Sequence, residues 1–281
     1  MQGHPIVIFD TSGINHLADD SDSGALVAGL RTAYFIRLTE TSVSEIVATA
    51  DNCRRDRLLD FVQTLLPCAH CIYPYGWIVD QLAVAFNRFQ NGFDWHRLDV
   101  RFLACETEIV RRSVVDDALS TKQRREVRKA ARELGDIFDR VAPTLLAIGG
   151  SRTLREHIER FKNGDGPLWG VGRMLCEEAT KTKWTDNEIQ RYYDACPPFR
   201  ALLLSLCVAE YERCLREATQ PESLRVGRFD LLMATYLPYC DQFVTADERQ
   251  LKCLRFVAVE AGLTANVRDY GEFRAVLTGV R

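Results

Sequence analysis

The chain has 281 residues, of which 47% are hydrophobic and 27% charged, and its formal net charge is -3. Core material is ample for a globular protein, while the charge gives no global attraction to nucleic acid, so such a partner must be met by local basic patches. Ten cysteines without a compact repeating framework, no apolar leader after the N-terminus and no run near the roughly 20 apolar residues of a membrane helix together predict a reduced, cytoplasmic protein with free thiols and no membrane partner.

Pro5 to Phe9 is a continuous apolar run of strand length, the pattern of a strand covered on both faces. It stops on Asp10-Thr11-Ser12-Gly13, after which Ile14 and Leu17 begin a helical pattern. A carboxylate at the C-terminal end of a buried parallel strand stands where open α/β sheets place their sites. Asp10 is also a good helix cap, although Thr11 or Ser12 can fill that role equally well. Ala33 to Thr39 reads as the second strand and leads into a helix through Val43, Ile46 and Val47, with Glu40 and Glu45 as its candidate acids. Leu58 to Leu66 is helical, Ala69 to Tyr73 is the third strand, and Trp77 to Phe89 is a helix.

From about Asn87 to Pro221 only helical periodicity is visible, in Trp95 to Leu119, Lys122 to Phe138, Leu154 to Phe161 and, most strongly, Ala201 to Ala218. The chain therefore divides into an N-terminal part of a core (residues 1–86), an all-helical insertion (87–221) and a C-terminal part of the core (222–281). This last part opens on Phe229-Asp230, continues helically through Leu231, Leu232, Ala234, Thr235 and Leu237, and is expected to stop at Pro238. A short β-rich run, Gln242 to Thr245, ends on Ala246-Asp247. Taken singly, Asp230 is an ordinary N-cap and Asp247 an ordinary turn residue. Arg255 to Ala261 is a further helix, Leu263 to Val267 the last strand, and a helix closes the chain.

Four segments in this order, IVIFDTS, LTETSVSEIV, the helix opening on Asp230 and Val244-Thr245-Ala246-Asp247, resemble the PIN domain family of VapC-like metal-dependent nucleases. The similarity covers roughly residues 5–86 and 222–271, and it selects Glu45, six positions after Thr39, over Glu40. The resemblance implies an α/β three-layer sandwich with a central parallel sheet, at whose C-terminal edge Asp10, Glu45, Asp230 and Asp247 meet as catalytic and metal-binding acids. Asp10 and Asp230 would be the main ligands, with Asp247 and Glu45 completing the shell directly or through water. All-oxygen ligands favour Mg²⁺ or Mn²⁺ over zinc. The implied reaction is hydrolysis of phosphodiester bonds by two-metal-type activation of water, in RNA more than in DNA. Thr11, Ser12 and Thr245 would hydrogen-bond ligand water or phosphate, and an inhibitory protein partner is compatible with the family.

Lys122, Arg124, Arg125, Arg128, Lys129 and Arg132 form a basic run on one helix of the insertion, able to contact several phosphates or to be a solvated face. Trp95, Trp169, Trp184, Tyr192 and Tyr193 suit core packing better than base stacking. Cys68, His70 and Cys71, with Cys53 nearby, fit no regular zinc finger and read as buried thiols. A haloacid-dehalogenase-type phosphatase would need a second aspartate where Ser12 stands. The competing reading from another class is a catalytically silent PIN-like module that binds or scaffolds through its insertion.

Overall fold

Four apolar residues make the central strand, β1 (Ile6–Phe9), and the rest of the sheet is laid down on both sides of it. The computed structural model describes residues 4–66, 69–97, 118–126, 128, 129, 132, 136, 139, 143, 153–164, 168–216 and 228–279, without the side chains of 70, 71, 97, 228 and 229. The other strands are β2 (Phe35–Thr39), β3 (Ala69–Ile72), β4 (Gln242–Thr245) and β5 (Asn266–Asp269). They order as β3-β2-β1-β4-β5, and every pairing is parallel. The chain thus steps outward from β1 to β3, then returns to the far side of β1 as β4. Strand order reverses between β1 and β4, which opens a crevice at their C-terminal ends.

Because successive strand side chains point to opposite faces, β1 feeds two separate cores. Val7 and Phe9 join Ile36, Leu38 and Val244 on one face. There they pack under α1 (Thr11–Asp19), α2 (Ser23–Ala33), α3 (Glu40–Val47), α4 (Asn52–Leu65) and a C-terminal helix that contributes Phe273. Ile8 joins Ile72, Phe243 and Val267 on the other face, beneath α5 (Tyr75–Arg88) and the later helices. The register that pairs Ile8 with Phe243 and Phe9 with Val244 keeps these two sets apart. The result is an α/β architecture with a parallel sheet covered on both faces.

Among the described residues the insertion is helical: residues 118–126, then α6 (Leu154–Lys162), α7 (Leu168–Thr180), α8 (Asp186–Ala195) and α9 (Pro197–Glu210). α6 to α9 do not enclose a core of their own. They share one apolar cluster with α5, with α11 (Glu248–Glu260) and with the sheet, so the insertion supplies much of one layer. α9 is buried from Pro198 to Glu210 almost without interruption, as expected of a helix that is apolar all round. Of the expected core aromatics, Trp169, Trp184, Tyr192 and Tyr193 are buried, and Tyr192 stacks on Phe199 with ring centroids 4.2 Å apart.

Several boundaries differ from expectation for identifiable reasons. β2 begins at Phe35 because Ala33 still belongs to α2. α9 starts at Pro197 rather than Ala201, since prolines fit the first turn of a helix, and it runs into a π-helical turn, Tyr211–Leu215. α8 was not evident from periodicity; it is started by a capping box between Thr185 and Glu188. The helix bearing Asp230, α10 (Arg228–Leu232), gives way to a 3-10 segment, Met233–Tyr239, that holds Pro238 inside it rather than ending there. That tighter coil tolerates the fixed φ of proline in its last turn. α11 runs on through Glu260, Gly262 turns the chain at φ 64°, and β5 therefore falls at Asn266–Asp269 rather than 263–267. α12 (Tyr270–Thr278) closes the fold. Most of the helix expected over Trp95 to Leu119 lies outside the described residues, as do Cys68 and the side chains of His70 and Cys71. Cys53, Cys176, Cys196, Cys207, Cys214, Cys240 and Cys253 are free thiols. Among the described residues no helix is long and apolar enough to cross a membrane.

Candidate functional site at the sheet edge

Asp10 follows the last residue of β1 and caps α1, its carboxylate accepting from the Gly13 backbone N–H at 2.7 Å. That closeness requires glycine at position 13, because a Cβ there would come within 2.8 Å of the Val244 carbonyl oxygen. The rest of the Asp10 shell is made of hydroxyls. Ser12 Oγ lies 2.9 and 2.8 Å from its two oxygens, and Thr245 Oγ1 donates at 2.9 Å from the end of β4. Ser12 in turn accepts from the Ala246 N–H at 2.8 Å, which ties the two strand ends together. Burial pushes the Asp10 carboxyl up to about 6, and the hydrogen bonds from Gly13, Ser12 and Thr245 pull it down only in part. Each of these donors is neutral, so the carboxylate is hydrogen-bonded without being charge-balanced.

Glu45 is half-buried on α3, a helix capped by Thr39, whose side chain accepts from the Ser42 N–H. Its carboxylate accepts from Thr11 Oγ1. Burial raises its pKa, and the charge of Asp10 raises it further, so the two acids share one electrostatic neighbourhood. Glu40, the acid not selected, accepts from Ser44 Oγ at 2.6 Å.

The other two predicted acids are placed differently. Asp247 is exposed at the N-terminus of α11, where its Oδ1 accepts from the N–H groups of Arg249 at 2.8 Å and Gln250 at 2.9 Å. It is a helix cap in this conformation. Asp230 is half-buried on α10, and its backbone carbonyl accepts from Gln250 Nε2 at 3.4 Å. The structure thus sets Glu45 near Asp10: Glu45 is hydrogen-bonded to Thr11, the next residue after Asp10, and feels the Asp10 charge. No three of Asp10, Glu45, Asp230 and Asp247 bring carboxylate oxygens within 4.8 Å of one another; among the described residues the only such grouping is His157, Cys207 and Glu210. Ser12 and Thr245, expected to hydrogen-bond ligand water or phosphate, hold Asp10 in this structure, and Thr245 is fully buried.

Gln250 is the residue that sequence reasoning missed. It is completely buried, its Oε1 lies 2.6 Å from Thr245 Oγ1, and its amide reaches the Asp230 carbonyl. It therefore links the strand end that holds Asp10 to the helix that carries Asp230. The spacing of Asp247 and Gln250, a cap followed three residues later by glutamine, is the signal that marks it in the sequence.

A groove of about 440 Å³ opens beside Glu45 between α3 and α5, lined by Glu40, Thr41, Tyr75, Trp77 and Asp80. Gln123 and Glu126, from helical residues 118–126 of the insertion, line it as well. The same stretch carries the basic run, with Lys122, Arg125 and Arg128 exposed, and Arg124 donating to Thr121 Oγ1 at 2.9 Å. The predicted patch thus stands next to the groove. Compared with known proteins, the chain matches no family model, no curated protein and no solved structure.

Proposed function

We propose that the protein is a PIN-like nuclease that hydrolyses phosphodiester bonds, in RNA rather than DNA, with Mg²⁺ or Mn²⁺. The observation that carries this reading is the Asp10–Glu45 pair: two carboxylates with raised pKa at the C-terminal edge of a parallel sheet, beside the point where strand order reverses. Like charges held together under burial are a cost to folding that a bound cation removes. The donor set supports a hard ion, since it consists of carboxylate and hydroxyl oxygens. Asp10 and Glu45 would hold that ion, with Asp230 and Asp247 as further oxygen donors along the same edge.

When bound, the ion would supply a water of lowered pKa and a counter-charge for the phosphate. Around it, the chain's own residues have defined tasks. Ser12, Thr245 and the Gly13 N–H fix the orientation of the Asp10 carboxylate. Glu45, whose pKa burial and the Asp10 charge raise, would share that ion with Asp10. Lys122, Arg125 and Arg128 would neutralise phosphates that run past the groove.

The scaffold reading has one observation in its favour, the engagement of Asp247 as a cap of α11. A cleavage assay separates the two. Purified protein incubated with single-stranded and structured RNA should cut it with Mn²⁺ or Mg²⁺ and stop cutting in EDTA, and Asp10→Asn should abolish cleavage in a folded protein. Cleavage by Asp10→Asn at the parental rate would place the activity elsewhere. A parent that cuts neither RNA with either ion leaves the scaffold reading standing.

A further inference from the structure

The helical layer holds a second cluster of ligand-type side chains, remote in sequence from the residues at the sheet edge. Cys207 and Glu210 lie three positions apart on α9, hence on one face of that helix. His157 approaches from the second turn of α6, a helix capped by Thr153. Their ligand atoms all lie within 4.8 Å of one another. All three residues are buried, His157 at 7% exposure, Cys207 at 0% and Glu210 at 1%. His157 Nε2 and Glu210 Oε2 are 2.9 Å apart. Cys214, half-buried one turn beyond Glu210, lies outside this grouping. Directly after Glu210, α9 loosens into the π-helical turn Tyr211–Leu215, an irregularity frequent at functional sites.

A hydrogen-bonded His–Glu pair would by itself hold α6 against α9. That pair makes no use of a buried thiol placed three residues before the glutamate. The donor set of imidazole nitrogen, thiol sulfur and carboxylate oxygen is of the mixed, borderline-soft kind that zinc prefers. Magnesium demands oxygen ligands and sheds water reluctantly, and manganese binds nitrogen and sulfur donors more weakly than zinc, so neither matches this donor set as zinc does. Charge closes the argument. One thiolate and one carboxylate around a dication sum to zero, and a neutral assembly avoids the penalty of burying net charge.

We propose that His157, Cys207 and Glu210 form a zinc site that clamps α6 to α9. Binding forms bonds from the ion to the imidazole nitrogen, the Cys207 sulfur and the carboxylate. It releases the Cys207 thiol proton to solvent. No electron transfer is involved. The site stands independently of the nuclease reading, because none of its residues belongs to the sheet edge.

The test uses the whole chain, loaded with Zn²⁺ and then passed over a chelating resin. The parent should keep about one zinc per molecule, and its X-ray absorption spectrum should show sulfur near 2.3 Å beside lighter nitrogen and oxygen ligands. Cobalt in place of zinc should give a thiolate-to-cobalt charge-transfer band. Cys207→Ser and His157→Gln should each weaken zinc retention at least tenfold, by comparison with the losses that follow removal of mere supporting partners. Asp10→Asn should retain zinc like the parent, which keeps the outcome separate from that of the cleavage assay. The proposal is overturned if the parent retains no zinc, if Cys207→Ser and His157→Gln retain it like the parent, or if the absorption shell lacks sulfur. Should both variants fail to fold, the parent's coordination shell decides by itself.

Discussion

Asp10 and Glu210 are both buried carboxylates, and the protein treats them in opposite ways. Asp10, at the sheet edge, receives a backbone N–H and two hydroxyls. Glu210, in the helical layer, faces an imidazole 2.9 Å away with a thiol beside it. In the first case hydrogen bonds satisfy the oxygens but, among the described residues, no positive charge answers them, so burial prevails and the carboxyl rises to about 6. In the second, the surrounding atoms include a nitrogen and a sulfur able to share a softer ion. The difference teaches that burial alone does not define a metal site; the hardness of the neighbouring donors says which ion, if any, each place would take.

The largest effect should come from breaking the first of these environments. Asp10→Asn should lower metal-dependent RNA cleavage by on the order of 100-fold or more, the scale on which a metal contributes to charge stabilisation in the transition state. Glu45→Gln should act similarly. If the two acids work as one unit, the double variant should lose scarcely more than either single one. Initial rates in saturating Mn²⁺, with folding checked by circular dichroism, supply the comparison. Losses that multiply would show two acids acting separately.

Proton linkage gives the next effect. The native Asp10 carboxyl, at about 6, holds its proton more tightly than the ordinary value of 3.8. The folded state therefore binds more protons between those two values, and its stability must fall as pH rises through that window. A shift of about two units corresponds to at most about 3 kcal/mol. Glu45 moves in the same direction. In EDTA, urea midpoints measured from about pH 4 to about 6.5 should decline more steeply for the parent than for Asp10→Asn, and saturating Mn²⁺ should reduce the difference. Parallel slopes for parent and variant would mean that the Asp10 carboxyl is not held out of water.

Packing beneath the same carboxylate yields a smaller change. Gly13→Ala would place a methyl 2.8 Å from the Val244 carbonyl oxygen and 3.1 Å from Asp10 Oδ1. Overpacking of this kind costs about 1–3 kcal/mol. A lowered thermal midpoint together with reduced cleavage is expected, because α1 can retreat only by loosening the cap on Asp10. A glycine elsewhere on the surface, such as Gly24, has open space around it and should accept alanine without that loss.

How much of this the sequence displayed depends on the kind of signal. β1, β3 and the acids after β1 and β4 are legible because a buried parallel strand is a short unbroken apolar run, and carboxylates stand out against it. β5 was harder. Asn266, Arg268 and Asp269 are polar, and the strand earns its place through Val267 and its ladder to β4. The layer made by α6 to α9 could not be read as part of the main core, since periodicity marks an apolar face without saying what covers it. The convergence of four acids was an expectation about tertiary distance, which composition and spacing do not encode. His157 and Cys207 escaped notice for the same reason: their 50-residue separation is closed only by the packing of α6 on α9.

Asp247 offers the finest test, because its two readings differ by a single side-chain property. As a cap it needs one short polar acceptor, and it already accepts from Arg249 and Gln250. Asp247→Ala should therefore cost about 1 kcal/mol of stability, whereas Asp247→Ser should recover most of that, since serine caps nearly as well. As an ion ligand it needs a carboxylate, which serine lacks. If Asp247 is a cap and nothing more, Asp247→Ser keeps both the urea midpoint and the Mn²⁺-dependent rate. If it also serves the ion held by Asp10 and Glu45, the midpoint survives and the rate does not, and the cap seen here is a resting position from which the carboxylate is drawn toward metal.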